Sequence, residues 1–152
     1  MRVSTRSDYA LRALIEIASR DEPGPLSADA IGKAQDIPHG FLQAILADLR
    51  KADILVSQRG PSGGWRFARS PADVSIADVI RAVDGPLVSV YGLRPEAVDY
   101  KESAASLKPV WIAARRALRE VFEQVNITQL AEGNLPSSIG ALIADEDAWQ
   151  PH

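Results

Sequence analysis

From Ile54 to Pro71 the chain carries three cations, Arg59, Arg66 and Arg69, and no carboxylate. Arg59 opens the loop Arg59-Gly60-Pro61-Ser62-Gly63-Gly64, whose glycines and proline bend a backbone at little steric cost. The flanking stretches Val56-Ser57-Gln58 and Trp65-Arg66-Phe67 read as two short strands, making a basic hairpin. Unopposed guanidinium groups at a hairpin tip attract phosphates; they make and break no bonds. Residues for bond-making chemistry are scarce. The two histidines, His39 and His152, belong to no metal-spaced or triad-like set. Gly60-x-x-Gly63-Gly64 is followed by no Gly-Lys-Ser/Thr and lies between strands, unlike a nucleotide-binding loop. The chain has no cysteine, which removes disulfides, thiolate metal sites and thiol redox sensing together. No enzyme activity, metal or cofactor is expected.

The elements that must hold this hairpin can be read upstream of it. Thr5 or Ser7 can cap a first helix, with Asp8 in its first turn near the positive end of the dipole. Ala10, Leu11, Leu14, Ile15 and Ala18 follow helical spacing, and Asp21-Glu22-Pro23-Gly24-Pro25 ends the pattern. Ser27 is the N-cap of a second helix, with Leu26 and Ile31 spaced as a hydrophobic staple, reaching about Gln35. The corner Asp36-Ile37-Pro38 leads into a third helix. There Phe41, Leu42, Ile45, Leu46 and Leu49 form the expected buried face, and His39, Gly40, Gln43, Ala44 and Ala47 the opposite one. A short helix, a tight corner and a longer amphipathic helix make a helix-turn-helix. With the basic hairpin behind it, the unit is a winged helix. The exposed face of the third helix is small and uncharged, which suits close approach to DNA and equally suits plain solvent. The wing favours DNA.

Beyond the wing, Ser75 caps a fourth helix, with Val74 and Val79 as a staple and Asp78 in the capping-box position. Ile76, Val79, Ile80 and Val83 give it an apolar face, and Gly85-Pro86 stops it. Residues 86–106 are irregular and form a linker or sensor loop. Leu107, Trp111, Ala114, Leu118, Val121 and Val125 then recur at heptad spacing, with Ser106 as N-cap and Pro109 in the first turn. A second copy of the same helix would cover this seam; packing back on the chain's own domain is the alternative. The expected fold is mostly α. Residues 1–85 form a winged helix-turn-helix domain with a small β-hairpin wing. Residues 107–131 form a long dimerisation helix with a short following segment. Residues 132–152 are a tail in which Ile139, Leu142 and Ile143 can make a short helix.

At 152 residues and 46% hydrophobic, the chain can bury one sizeable core. The net charge of −3 conceals an asymmetry. Residues 1–71 hold ten Lys/Arg against eight Asp/Glu, a net +2, and residues 72–152 hold seven against twelve, a net −5. DNA binding needs a local basic surface rather than a basic whole. No stretch approaches the ~20 apolar residues of a membrane span, and the N-terminus lacks the apolar core of a signal peptide. A soluble cytoplasmic protein is expected, with no membrane partner.

Several motifs occur together and in order: Tyr9-Ala10-Leu11-Arg12-Ala13-Leu14, Ile37-Pro38-x-x-Phe41-Leu42, Leu49-Arg50-Lys51-Ala52, Arg59-Gly60-x-x-Gly63-Gly64-aromatic and Ile80-x-Ala82-Val83-Asp84-Gly85. The combination resembles the Rrf2 family of bacterial transcription regulators over residues 1–85. The Trp111 helix and the Asn126-Ile127-Thr128 ending are also similar. The resemblance implies a regulator, expected to be a repressor, acting as a homodimer on an imperfect palindrome in double-stranded DNA. It places Gly40, Gln43 and Ala44, with His39 on the same face, at the major groove. It places Arg59, in the wing with Gly60, Gly63 and Gly64, in the minor groove. Arg2, Arg6, Tyr9, Arg50 and Arg66 are expected on the DNA backbone. A glutamine can bond an adenine edge through two contacts, and an arginine at a loop tip suits a narrow, A·T-rich minor groove. Gly40 and Ala44 offer only backbone or methyl contacts.

One departure stands out. Well-known members of that family hold an iron–sulfur cluster through three cysteines between the fourth helix and the long helix. The corresponding stretch, Tyr91 to Ala105, has none, so a cluster of that kind lacks its ligands. An acidic first-helix residue corresponding to Asp8 is a cluster ligand in some members; here Asp8 is expected to be a dipole partner, and Arg12 no ligand. Two alternatives stay open. The winged helix could dock a metabolic enzyme or another protein, although Trp65 and Phe67 are expected to pack over Leu46 and Leu49 rather than form a docking patch. A small-molecule effector could bind beside Tyr91, Tyr100 and Trp111, or a partner protein could supply the signal, or none.

Overall fold

The computed structural model describes residues 2–151. Its first helix, α1 (Thr5–Ala18), is capped by Ser4, whose side chain accepts from the Ser7 N–H at 2.9 Å. Neither Thr5 nor Ser7 is the cap. Ser7 is buried and donates through Oγ to Asp84 at 2.5 Å; Ser4 donates to the same carboxylate. Asp8 does lie in the first turn, paired with Arg12 at 3.2 Å. Ser7, Ala10, Ala13 and Leu14 make the buried face, while Leu11, Ile15 and Ala18 are half-buried at its margin.

Ser27 caps α2 (Ala28–Gln35), and Ile31 is fully buried. Asp36 turns the chain in the left-handed region at φ 52°, a conformation Asp tolerates better than most residues. Pro38 then stands at the N-cap of α3 (His39–Lys51). Leu42, Ile45, Leu46 and Leu49 are buried in the centre of the core. Truncating one of these leucines to alanine costs about 2–5 kcal/mol in a packed interior. Phe41, expected among them, is 49% exposed. Its Cβ leaves the helix one position off the buried face, so the ring stands beside Tyr9 instead, edge-on at 5.8 Å between centroids.

The wing is an antiparallel pair, β1 (Leu55–Gln58) and β2 (Gly64–Phe67), in the register Leu55↔Phe67 and Gln58↔Gly64. It is joined to the α1–α2 connection through reciprocal hydrogen bonds between Trp65 and Leu26, 2.8 and 2.9 Å. α4 (Ile76–Val83) has the full capping box: Ser75 Oγ accepts from the Asp78 N–H and the Asp78 carboxylate accepts from the Ser75 N–H. Val74 and Val79 are fully buried, and Asp84 follows as C-cap before Gly85 at φ +89°.

The long helix differs from expectation. α5 (Leu107–Phe122) stops before Val125, and none of its residues is buried. Val125 lies in the connection to α6 (Ile127–Glu132), 3% exposed, with its carbonyl accepting from the Ile76 N–H at 3.0 Å. The break is enforced by a second capping box, Asn126 with Gln129. Ile127 is fully buried in the core built by α1, α2, α3 and α4, and α6 packs against α1. Residues 127–132 therefore complete the core of the N-terminal region rather than extend the long helix. The seam of α5 is also covered in part by its own chain. Trp111, Ala114, Leu118 and Val121 are half-buried, the Pro95–Ala97 turn lies against α5, and Trp111 Nε1 donates to the Tyr100 hydroxyl at 3.1 Å. α7 (Ser137–Leu142) and a turn at Glu146–Trp149 give the tail local order. No helix among the described residues is long and apolar enough to cross a membrane.

Candidate nucleic-acid interface

Two elements present the candidate residues: the N-terminal half of α3 and the tip of the wing. On α3, His39, Gly40, Gln43 and Ala44 are all exposed, opposite Leu42, Ile45 and Leu46. Burial of that opposite face fixes the rotation of the helix, so the exposed side chains emerge along one line. Phe41 belongs to this surface. With Arg6, Pro38, Gly40 and Ala44 it lines a shallow, mainly apolar hollow. Sequence reasoning missed it because helical periodicity distinguishes poorly between a position on the apolar face and one on its edge.

The wing tip is fixed by close backbone approach. A Cβ on Gly63 would lie 2.2 Å from the Gln58 carbonyl oxygen, and one on Gly64 would lie 2.5 Å from the Leu26 carbonyl oxygen. Any side chain at either position would force the backbone apart, so the loop closes only with glycine there. Arg59 and Gly60 are exposed at the tip. Val56 faces Arg66 across the hairpin, with Arg66 exposed and Trp65 and Phe67 turned toward the core. Arg59, Arg66 and Arg69 form no ion pair among the described residues.

The residues expected on the DNA backbone divide. Arg50 is exposed, its guanidinium carbon 5.9 Å from the centre of the Trp65 ring. Tyr9 is half-buried between Phe41 and the Arg12 guanidinium, 5.3 Å from its ring. Arg6 is committed to Asp48 of α3, and its Nε is buried with no hydrogen-bond partner among the described residues. Asp48 also accepts from Lys51 at 3.2 Å, and Lys51 first, then Arg6, hold its carboxyl below the usual range. Arg6 therefore braces α1 against α3. Arg2 is exposed and lines a recess with Asp84, Leu87 and Phe122.

Farther along the chain, Tyr100 and Trp111 meet, but Tyr91 is 92% exposed in the tight turn Val90–Leu93 and does not join them. The structure forms no aromatic pocket from the three. It forms instead a cleft between α4, the linker and α5, lined by four arginines. Donors for iron are poor. The chain lacks cysteine, and no group of three or more His, Asp or Glu able to hold a metal exists among the described residues. Asp8 faces Arg12, whose guanidinium also donates to the Gln35 side chain and carbonyl. A thiolate-held cluster does not fit this donor set.

The profile of a family described as "Rrf2: Iron-dependent Transcriptional regulator" matches residues 3–133. A Mycobacterium tuberculosis (strain H37Rv) protein that bears the name of an HTH-type transcriptional regulator, Rv1287, is 37% identical over 150 residues, covering 99% of this chain and 93% of that one. CymR of Bacillus subtilis, an HTH-type transcriptional regulator, is 30% identical over 131 residues, covering 86% and 90%. Its solved structure, described as that of the global cysteine regulator, superimposes with a TM-score of 0.71 at 28% identity over 87% of this chain and 97% of that one. The structure of IscR from T. potens gives 0.70 at 28% identity over 88% of each.

Proposed function

Because the chain belongs to the Rrf2 family of transcriptional regulators, we propose that it acts as a homodimeric repressor reading an inverted repeat in double-stranded DNA. The observation that carries this reading is the pairing of an uncharged, exposed α3 face with Arg59 and Arg66, unpaired on a wing whose loop is fixed by backbone contact. In it, Gln43 takes an adenine edge in the major groove, and Arg59 takes a narrow minor groove. The apolar hollow of Phe41 and Ala44 fits the C5 methyl of a thymine, the one apolar group on a major-groove edge. Arg50 and Arg66 are free to meet phosphates, whereas Arg6 positions α3.

The second copy has a surface to bind. Leu107, Val110, Ala114, Ala117 and Val121 are spaced three, four, three and four residues apart on α5. Leu107 is 42% and Val110 55% exposed, and Ala117 is exposed. Small residues at a heptad seam let two helices approach closely. The face rotates away from Trp111, which meets Tyr100 of the linker, and from the half-buried Leu118. The input signal is then not a thiolate-ligated cluster, for want of ligands. Selection of bound sites from random-sequence duplexes tests the reading: an enriched inverted repeat supports it, and unenriched pools overturn it.

A further inference from the structure

The cleft between α4, the linker and α5 has a volume of ≈ 480 Å³. Arg81, Arg94, Arg115 and Arg119 line it with a single carboxylate, Glu96, and the Gly85–Leu87 turn closes one side. These residues come from three separate chain segments. Arg115 donates to Glu96 at 2.6 Å. Arg119 Nε and Arg81 converge on one oxygen of Glu123, at 2.9 and 2.5 Å. Arg119, then Arg81, hold the Glu123 carboxyl down to about 2, so it stays ionised with its charge shared between two cations, and Arg81 also meets Asp78 at 3.7 Å. The hydrogen bond of Arg119 to Glu123 runs through Nε. Arg94, which after the Glu96 backbone and Arg115 helps to hold the Glu96 carboxyl below the usual range, has no hydrogen bond or ion pair among the described residues.

Arg81 and Arg119 sit in the last turns of α4 and α5, where a cation also meets the negative end of a helix. That role explains two of the four. Arg115 stands one turn earlier on α5, and Arg94 belongs to no helix. Acidic partners hold Arg81, Arg115 and Arg119 at the cleft wall, and a guanidinium keeps further N–H donors beyond those such bonds use, the chemistry of a fork-shaped oxyanion site.

We propose that this cleft binds a small dianion carrying phosphoryl or paired carboxylate groups, and that this ligand is an input to the regulator. The Gly85–Leu87 turn follows Asp84, the acceptor for Ser4 and Ser7 at the start of α1, and α4 packs on α3. A ligand bridging α4, the linker and α5 therefore bears on how α3 is carried relative to the α5 surface. The regulatory half rests on the DNA-binding reading above; the binding half does not.

Calorimetric titration of the full chain with inorganic phosphate, glycerol 3-phosphate and succinate, at constant ionic strength in chloride, tests it. Saturable binding at one ligand per protomer is expected, weakened at least ~10-fold by Arg94→Ala with Arg119→Ala. A cooperative thermal melt with parent-like circular dichroism shows that the variant is folded. Glycerol 3-phosphate binding more tightly than succinate assigns a phosphoryl ligand; the reverse assigns a dicarboxylate. No saturable heat, or equal binding by the folded variant, overturns the site. On the selected duplex, ligand should change the DNA affinity of the parent and leave that of the variant unchanged. Ligand binding with no such change overturns the regulatory half. Ligand binding by a protein that recognises no duplex overturns the DNA reading and leaves the site standing.

Discussion

In the proposed reading Gln43 and Arg59 address different grooves, so their loss should be felt differently. Gln43→Ala should cost about 1–3 kcal/mol on the preferred site and relax specificity at one base pair per half-site. Arg59→Ala should weaken A·T-rich sites most and flatten the salt dependence, because it removes a cation near phosphates. Titration of both variants against matched and scrambled duplexes checks this, and parent-like binding by both would remove these surfaces from recognition. Phe41 invites a separate test. Replacing thymine by deoxyuridine through the selected site deletes only the methyl group. Parent binding should fall at one such position, and Phe41→Ala should be insensitive to the change; equal sensitivity in both proteins would contradict the contact. Gln43 and Ala44 were legible in the sequence because α3 has a strong apolar face and they lie opposite it. Phe41 was not, since an aromatic beside Leu42 scores as core by period alone and only the Tyr9 contact shows where the ring goes. The commitment of Arg6 to Asp48 was hidden for a different reason, 42 residues separating the pair.

At the scale of elements, capping chemistry was the most readable signal. Ser27 and the Ser75–Asp78 box mark α2 and α4 where hydroxyl and carboxylate stand three residues from the backbone groups they satisfy. The same signal, Asn126 with Gln129, stands directly after the apparent heptad run and starts a new helix there. Apolar spacing carried across the break because Val125 is apolar for another reason, its burial beneath α4. Tyr100 beside Trp111 was within reach of the sequence as an aromatic set where the linker meets the long helix, whereas the path of the rest of residues 86–106 was not, since they have no periodicity. Val110 is the sharper probe of dimerisation, being exposed within one protomer. Val110→Glu should leave the circular dichroism of the fold unchanged and shift the sedimentation mass from dimer to monomer; an unchanged dimer would exclude this face of α5. The α4–α5 junction should also report on acid. The folded carboxyl of Glu123 is depressed to about 2 from 4.5. Its contribution to stability is thus present above about 4.5 and fades as the pH falls toward about 2. Thermal melting of Glu123→Gln should lose less stability than the parent between those values. A parallel decline would show that the Arg81–Glu123–Arg119 cluster contributes nothing to acid sensitivity.

As a whole molecule, the protein sets an exposed, uncharged α3 face and a basic wing on a core that α6 completes from beyond α5. The winged helix-turn-helix was readable because each of its parts has a local signature. The closure of its core by Ile127 was not, because it depends on the chain returning over α1 after a long excursion. Protein purified without oxygen should show no iron–sulfur absorption, as its donors do not suit such a cluster; stoichiometric iron with sulfide would contradict that. The central claim concerns a dimer gripping two half-sites through phosphates and base edges together. Its most direct test is the affinity for the selected duplex and a scrambled one, measured across a range of salt concentrations. A dimer meeting roughly six to eight phosphates should give a log–log slope of about −5 to −7, with the selected duplex bound at least ~10³-fold more tightly. Equal affinity for both duplexes with a flat salt dependence would contradict it.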